Sequence, residues 1–259
     1  MATTTTTTTT TTAQTVRFSA ANRKIAKLAK RRGLRKYLRG GRKIFSFDLL
    51  AGVSCPGAKD CKAHAAERPD GTRYVVHGRD AILACFDAAM EARLPNVFKL
   101  RKQNFGALRG KTEDEIVQIL RVAFPVNAGI VRIHTSGDFF SSDYFRAWMR
   151  IIGEHQETRF YCYTKSLRIL ADNLSRVPAN LKVTLSAGGR YDALIPTLPQ
   201  FPVARIVNYE HEAEQLGLEI DRDDSHAAFA EQSFALLIHG GAQPAGSEAA
   251  RAVAAQRRR

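Results

Sequence analysis

Three thiols and a short series of polar side chains have the types and positions that chemistry requires. Cys55 and Cys61 stand in the stretch AGVSCPGAKDCKAH, and Cys85 follows in AILACFDAAMEA. Thiolates in a loop behind a parallel strand can hold a metal or an iron–sulfur cluster, and three of them leave one iron position open to a substrate or cofactor. Pro56, Gly57 and Ala58 keep that loop tight. The spacing C-x5-C-x23-C matches no short metal signature. Ile82, Cys85, Phe86 and Ala89 also read as one apolar helix face, so the alternative of ordinary core or loop cysteines stands beside shared ligation. Cys162 has the opposite strand parity from its polar neighbours and is expected to pack under a helix.

The segment HTSGDFF at 134–140 is the strongest local candidate. Gly137 lets the backbone turn between polar side chains, so His134, Ser136 and Asp138 can reach one ligand; Asp138 can instead stabilise the helix start that follows. Lys165, closing YCYTK, is a cation fit for an anionic substrate or a cofactor carboxylate. In SAGGR, Ser186, Gly188 and Gly189 bring backbone N–H groups near an anion, and Arg190 adds a forked contact. IDRDDSH combines Asp221, Asp223, Asp224 and His226, which can bind a divalent cation or act as acid and base, or can simply form a turn. His239, before two glycines, is a candidate base or ligand, or a structural histidine.

These residues need a frame. Candidate strands are 44–50, 131–138, 159–165, 181–187, 204–209 and 234–239. Thr112 and Glu115 have capping-box spacing ahead of an apolar-periodic run to Ala123, and Ser141 or Ser142 caps the next helix, with Phe145, Trp148, Met149 and Ile152 at helical spacing. A parallel sheet covered on both faces should be apolar on both. Here one parity is polar: Ser46 and Asp48; Arg132, His134, Ser136 and Asp138; Tyr161, Tyr163 and Lys165; Lys182, Thr184 and Ser186; and His239. One-sided polarity fits a curved sheet with outer helices and a wet interior, whose site lies at the carboxyl ends of the strands. The expected fold class is α/β, a partial (β/α)6 TIM-like barrel, with a doubly wound flat sheet as the alternative.

Charge is unevenly distributed. Residues 1–44 carry 12 Lys or Arg and no Asp or Glu, whereas 45–259 carry 27 basic and 25 acidic residues. The expected organisation is a disordered Thr-rich and basic arm at 1–43, the α/β domain at 44–246, and a C-terminal helix with a basic tail at 247–259. Within the arm, 20–39 reads as a basic helix broken near Gly33 that lies on phosphate, on an acidic partner or on its own domain, or else as a solvated arm. Its Thr- and Arg-rich start also has the composition of an organellar transit segment. No apolar run reaches the ~18 residues a membrane span needs, and no secretory signal opens the chain. A reducing, cytoplasmic setting without membrane attachment is expected, with free thiols rather than disulfides.

The stretches LLAGVSCPGAKDC, VRIHTSGDFFSSDYFRAW, RFYCYTKSL, IDRDDSHA and FALLIHGGAQPAGSEAA resemble, in the same order, the gene-product-eighty-eight family of actinobacteriophage and bacterial proteins. That resemblance runs from about 44 to 250 and implies that Cys55, Cys61, Cys85, His134, Asp138, Lys165, Asp224, His226 and His239 belong to the family's motif blocks. The layout is also distantly similar to radical S-adenosylmethionine enzymes, which implies a possible iron–sulfur cluster and S-adenosylmethionine; the C-x3-C-x2-C triplet of those enzymes is absent.

Three functions follow. In the first, a metal or iron–sulfur enzyme uses Cys55, Cys61 and Cys85, with His134, Asp138, Lys165 and Arg190 holding a small-molecule substrate or cofactor. In the second, Asp138, Asp223, Asp224 and His226 bind a divalent cation and hydrolyse a phosphodiester, the nucleic acid being held by the basic arm. The third is a non-enzymatic nucleic-acid-binding protein tethered by that arm.

Overall fold

The computed structural model describes residues 15–258. The threonine tract expected to be disordered lies outside them. The chain opens with β1 (Ser19–Ala20) and two 3-10 segments, Ile25–Lys30 and Arg32–Gly41, the second kinked at Arg39 and Gly40. There follow β2 (Lys43–Phe47), β3 (Ala63–Glu67), β4 (Arg73–His77), α1 (Phe86–Arg93), α2 (Pro95–Leu108), α3 (Glu113–Ala123), β5 (Ala128–Ile133), α4 (Ser142–Glu154), β6 (Arg159–Thr164), α5 (Leu167–Ala171), β7 (Leu181–Ser186), β8 (Val203–Val207), α6 (Glu210–Gln215), α7 (Ser225–Phe229), β9 (Phe234–Leu237) and α8 (Glu248–Gln256). The α3 start is the expected capping box, Thr112 and Glu115 each accepting from the other's backbone N–H, and Ser141 caps α4.

Six strands, β2, β5, β6, β7, β8 and β9, run parallel in chain order, and β1 adds an antiparallel edge beside β2. These are the six strands expected from the sequence. Strand β1 pairs with β2, and beyond β8 the far edge of β9 carries only a single bridge to Ile220, so the sheet is open and no closed barrel forms among the described residues. The crossovers are also irregular. Between β2 and β5 lie the β3–β4 hairpin and three helices, while β7 and β8 are joined by a 3-10 turn, Asp192–Thr197, and no α-helix.

Register confirms the parity. Ser46, Arg132, Tyr161 and Lys182 form one row across four neighbouring strands, and Phe47, Ile133, Cys162 and Val183 form a row of the opposite parity. The second face packs Phe47, Val131, Ile133, Phe160, Cys162, Val183 and Leu185 against α2, α3, α4 and α5, and holds the main core with Trp148 and Phe145. Cys162 is fully buried there, as expected.

The first face departs from expectation. Its centre is not wet: Ile25, Leu28 and Leu34 of the 3-10 segments, with Ala227 and Ala228 of α7, pack there on Ile44, Ile130, Tyr161, Ala204 and Phe234. The boundary at 44 therefore cuts through a packed unit, and residues 15–43 are not a loose arm. Three apolar residues with the spacing i, i+3 and i+9 bury one side of the segment, and the apolar residues of the strands' polar parity supply the surface they need. A Cβ on Gly129 would stand 2.0 Å from the Tyr37 carbonyl oxygen, so only glycine lets the second 3-10 segment cross the amino ends of β5 and β6 this closely.

Candidate functional site

The loops leaving the carboxyl ends of β2, β5, β6 and β7 are joined to one another. Leu49 N–H donates to the Ser136 carbonyl at 2.9 Å. The Asp138 carboxylate accepts from Thr164 Oγ1 at 2.7 Å, from Lys165 N–H at 2.8 Å and from Phe139 N–H at 2.8 Å. Lys165 Nζ then donates to the Ser186 carbonyl at 3.2 Å and to the Ala187 carbonyl. The cysteine loop closes the set: Ala58 bridges Gly189, Asp60 N–H donates to the Gly188 carbonyl at 3.1 Å, and Arg190 N–H donates to the Gly57 carbonyl at 2.8 Å. A Cβ on Gly57 would fall 2.1 Å from the Lys165 carbonyl oxygen, which is why this loop needs glycine there.

This stitching sets the three thiols in one neighbourhood. Asp60 accepts from the N–H groups of Ile82 and Leu83, at 3.0 and 3.1 Å, which ties the segment leading to Cys85 beside Cys61. Cys85 flanks the start of α1 and packs beside Ala51, Ala63, Ala84 and Ala88. Burial pushes the thiols of Cys55, Cys61 and Cys85 up; Cys61 pushes Cys55 further, and both push Cys85 further, so the three lie within electrostatic reach of one another. Lys165 opposes the rise at Cys61. As free thiols all three are protonated at neutral pH, and a metal arriving there must displace the protons. No group of three or more His, Cys, Asp or Glu stands in metal-holding geometry among the described residues.

The remaining candidates divide. Asp138 is 4% exposed and its pKa is raised by burial, against the pull of its hydrogen bonds; it ties the β5 and β6 loops together. Ser136 donates to Glu91 Oε1 at 3.2 Å. Lys165 sits near Cys61, but its ammonium is spent on the β7 carbonyls, the Ser186 backbone among them. The Gly188 and Gly189 N–H groups donate to Asp192, at 2.7 and 2.9 Å, and Arg190 is exposed. The expected anion cradle is thus filled by a carboxylate of the chain itself.

His134 leaves the polar face. Its φ of 68° breaks the strand alternation after Ile133, and the ring turns into the outer core, against Phe139 and Tyr144, with Nε2 2.9 Å from Tyr144 Oη. Burial pushes its pKa down to about 3, so it is a neutral core imidazole. His239 lies two residues beyond the end of β9, where alternation no longer applies; it is exposed and rests edge-on against Phe86.

The IDRDDSH carboxylates do not converge with Asp138. Asp224 accepts from Arg132 Nη1 and, at 3.2 Å, from Tyr161 Oη, and it stands 2.8 Å from Lys24 Nζ. Burial raises its pKa, but the two cations outweigh burial and hold it below the usual carboxylate range. Asp223 pairs with Arg31 at 2.6 Å, and His226 Nε2 meets Glu219 at 2.8 Å. The divalent-cation set expected from these residues is occupied by cations of the protein.

Sequence reading missed a second buried group at the rim. Asp87 and Glu91, one turn apart on α1, share Arg101, whose guanidinium stands 2.6 Å from the first and 3.1 Å from the second. Glu91 is fully buried and also accepts the Ala51 N–H at 2.9 Å, while Asp48 accepts from Thr135 and Ser136. Burial raises both Asp87 and Glu91 above the usual range, against Arg101. The available signal was two carboxylates four residues apart on an alanine-rich helix just after Cys85. A depression of about 420 Å³ beside α6, lined by Glu210, Leu218 and Arg222 among others, contains none of these groups.

Comparison with curated proteins and with solved structures finds no match. A family model described as Gene product 88 matches residues 13–258, which spans every segment joined at the rim and the packed amino-terminal segment as well. The chain belongs to the gene product 88 family.

Proposed function

We propose that this protein is a metal- or iron–sulfur-dependent enzyme whose centre is held by Cys55, Cys61 and Cys85. Its sheet acts as a partial barrel with the site on the carboxyl rim. The observation that carries this reading is that three thiols from two segments, 24 residues apart between Cys61 and Cys85, lie within electrostatic reach of one another beside a loop stitched to the β6 and β7 ends. Bound there, an iron–sulfur cluster would supply an electron and one iron position open to a ligand, for which S-adenosylmethionine is a candidate.

The protein's own groups have separate tasks. Asp138 and Lys165 fix the two loops that face the thiols, and Lys165 favours thiolate at Cys61. Asp87 and Glu91, raised by burial, are placed to hold or move a proton beside Cys85. The centre of the polar-parity face is filled by Ile25, Leu28 and Leu34, which leaves room only at the rim and favours a small-molecule substrate over a polymer. The nuclease alternative loses its ligand set to Arg132, Lys24 and Arg31.

The test is anaerobic purification, or reconstitution with iron and sulfide, followed by metal, sulfide and absorption measurements. Bound iron that is lost in each of Cys55→Ala, Cys61→Ala and Cys85→Ala is the expected result. A colourless protein that retains no metal after reconstitution overturns the reading.

A further inference from the structure

We propose that the exposed side of residues 23–39 is a binding face for the phosphate backbone of a duplex nucleic acid. The segment is divided along its length. Ile25, Leu28 and Leu34 are buried on the sheet, while Arg23, Lys27, Lys30, Arg32, Arg35 and Lys36 are exposed. None of these six forms an ion pair among the described residues. Only Lys24 and Arg31 do, with Asp224 and Asp223, and those pairs fasten the segment down.

Elsewhere, exposed arginines without an ion pair among the described residues, such as Arg93, Arg109, Arg168 and Arg205, are spread along the chain, and other arginines have carboxylate partners. Arg121 meets Glu154, Arg146 meets Glu113, Arg150 meets Asp114, Arg222 meets Glu210 and Arg251 meets Glu248. What sets residues 23–36 apart is density: six cations unpaired among the described residues, with no acidic residue between 1 and 44, concentrate mutually repelling charge on an ordered surface. An external polyanion relieves that repulsion. The segment exposes no large hydrophobic side chain, so it offers neither the apolar face of a membrane-surface helix nor the apolar core of a protein interface. Tyr37 is half-buried, with Arg159 over its ring, so no aromatic platform is free to stack unpaired bases. Spaced cations without apolar or stacking groups fit a duplex backbone read without regard to sequence.

The placement separates this face from the thiols. Tyr37 lies against Gly129 and Arg159, at the amino ends of β5 and β6, whereas the cysteine loop sits at the carboxyl ends. At the Tyr37 end, a duplex on this face therefore lies at the opposite end of the strands from the rim.

The experiment is fluorescence anisotropy of the full chain with labelled random-sequence duplex DNA, duplex RNA, single strands and phosphatidylserine vesicles, across a salt series. Duplex binding should weaken linearly in log–log salt. Arg32→Glu with Arg35→Glu should weaken it by about tenfold or more near ~100 mM salt, because each lost phosphate contact removes released counterions. Lys99→Glu with Lys102→Glu on α2, the same change in net charge on exposed residues elsewhere, should leave it nearly unchanged. Lys27→Glu with Lys36→Glu repeats the test should the first pair unfold the segment, as judged by thermal melting. Preference for DNA or for RNA identifies which backbone is used. Equal loss in the α2 pair, tighter binding to vesicles or single strands, or no duplex binding overturns the proposal. Metal content reports separately on the thiol centre.

Discussion

Two polar clusters lie on this sheet, and they differ in how their charges are resolved. At the Asp224 hub, a fully buried carboxylate is met by Arg132, Lys24 and Tyr161, and its pKa is held low. At the carboxyl rim, three thiols and the carboxyls of Asp87, Glu91 and Asp138 are all pushed up by burial, and Arg101 is the one cation paired to two of the carboxyls. At the hub the buried carboxylate is charge-balanced by cations of the chain. At the rim burial favours the neutral form of each of these groups. Charge balance by the chain's own cations is the mark of architecture, and groups shifted by burial toward their neutral forms are what the proposed site requires.

The hub gives the largest expected effect. Asp224→Ala strands the buried Arg132 guanidinium, and breaking a buried pair by removing one partner costs about 3–5 kcal/mol. Chemical denaturation should show that loss, and a loss under about 1 kcal/mol would erase the contrast between the clusters. The same carboxylate sets a pH dependence. Its folded pKa lies below its unfolded value of about 3.9, so its contribution is complete above that value and disappears as pH falls through the folded one. Melting temperatures of the protein and of Asp224→Asn should therefore differ most near neutrality and approach each other below about pH 4.

Much of this frame was legible and part of it was not, for definite reasons. The six parallel strands and the polar row of Ser46, Arg132, Tyr161 and Lys182 follow from period-two alternation, which register preserves across neighbouring strands. His134 escaped because a positive φ at a non-glycine residue leaves no trace in a pattern of residue types. Between a solvated arm and a segment lying on its own domain the sequence does not choose, because nine basic residues dominate 20–39, although Ile25, Leu28 and Leu34 decide where it lies. The two glycines of SAGGR signal close backbone approach, but not that Asp192 is the carboxylate that approaches. Asp87 and Glu91 were hidden because Arg101, which makes their burial tolerable, is ten residues further on in another helix.

At the rim the effects on stability should be smaller and the effects on binding larger. Asp138→Ala removes an acceptor shared by Thr164 Oγ1 and two backbone N–H groups, a cost of about 2–3 kcal/mol. Since that acceptor holds the β5 and β6 loops together, the variant should also bind metal less tightly than the unmodified chain. Single replacements of Cys55, Cys61 or Cys85 by Ala remove only a small half-buried group and should each cost about 1 kcal/mol in the metal-free protein. Metal analysis and urea denaturation of the same preparations separate the two effects. Cysteine variants that lose several kcal/mol without metal would reassign the thiols to the core.

The smallest effect tests where the hub ends. Arg31 pairs with Asp223 at 2.6 Å, one residue before Asp224 in the chain, but its side chain is 50% exposed where that of Arg132 is 15% exposed. Solvent screens the arginine side of such a pair, and the Asp223 carboxylate keeps the Ser225 N–H, so Arg31→Ala should cost about 0.2–1 kcal/mol and less at high salt. If the cost instead rivals that of Asp224→Ala, the amino-terminal segment is held by one cooperative ion network, and the apolar contacts of Ile25, Leu28 and Leu34 cannot be what seats it. Comparing the salt dependence of the two variants decides between those anchors, because hydrophobic seating does not weaken as ionic strength rises.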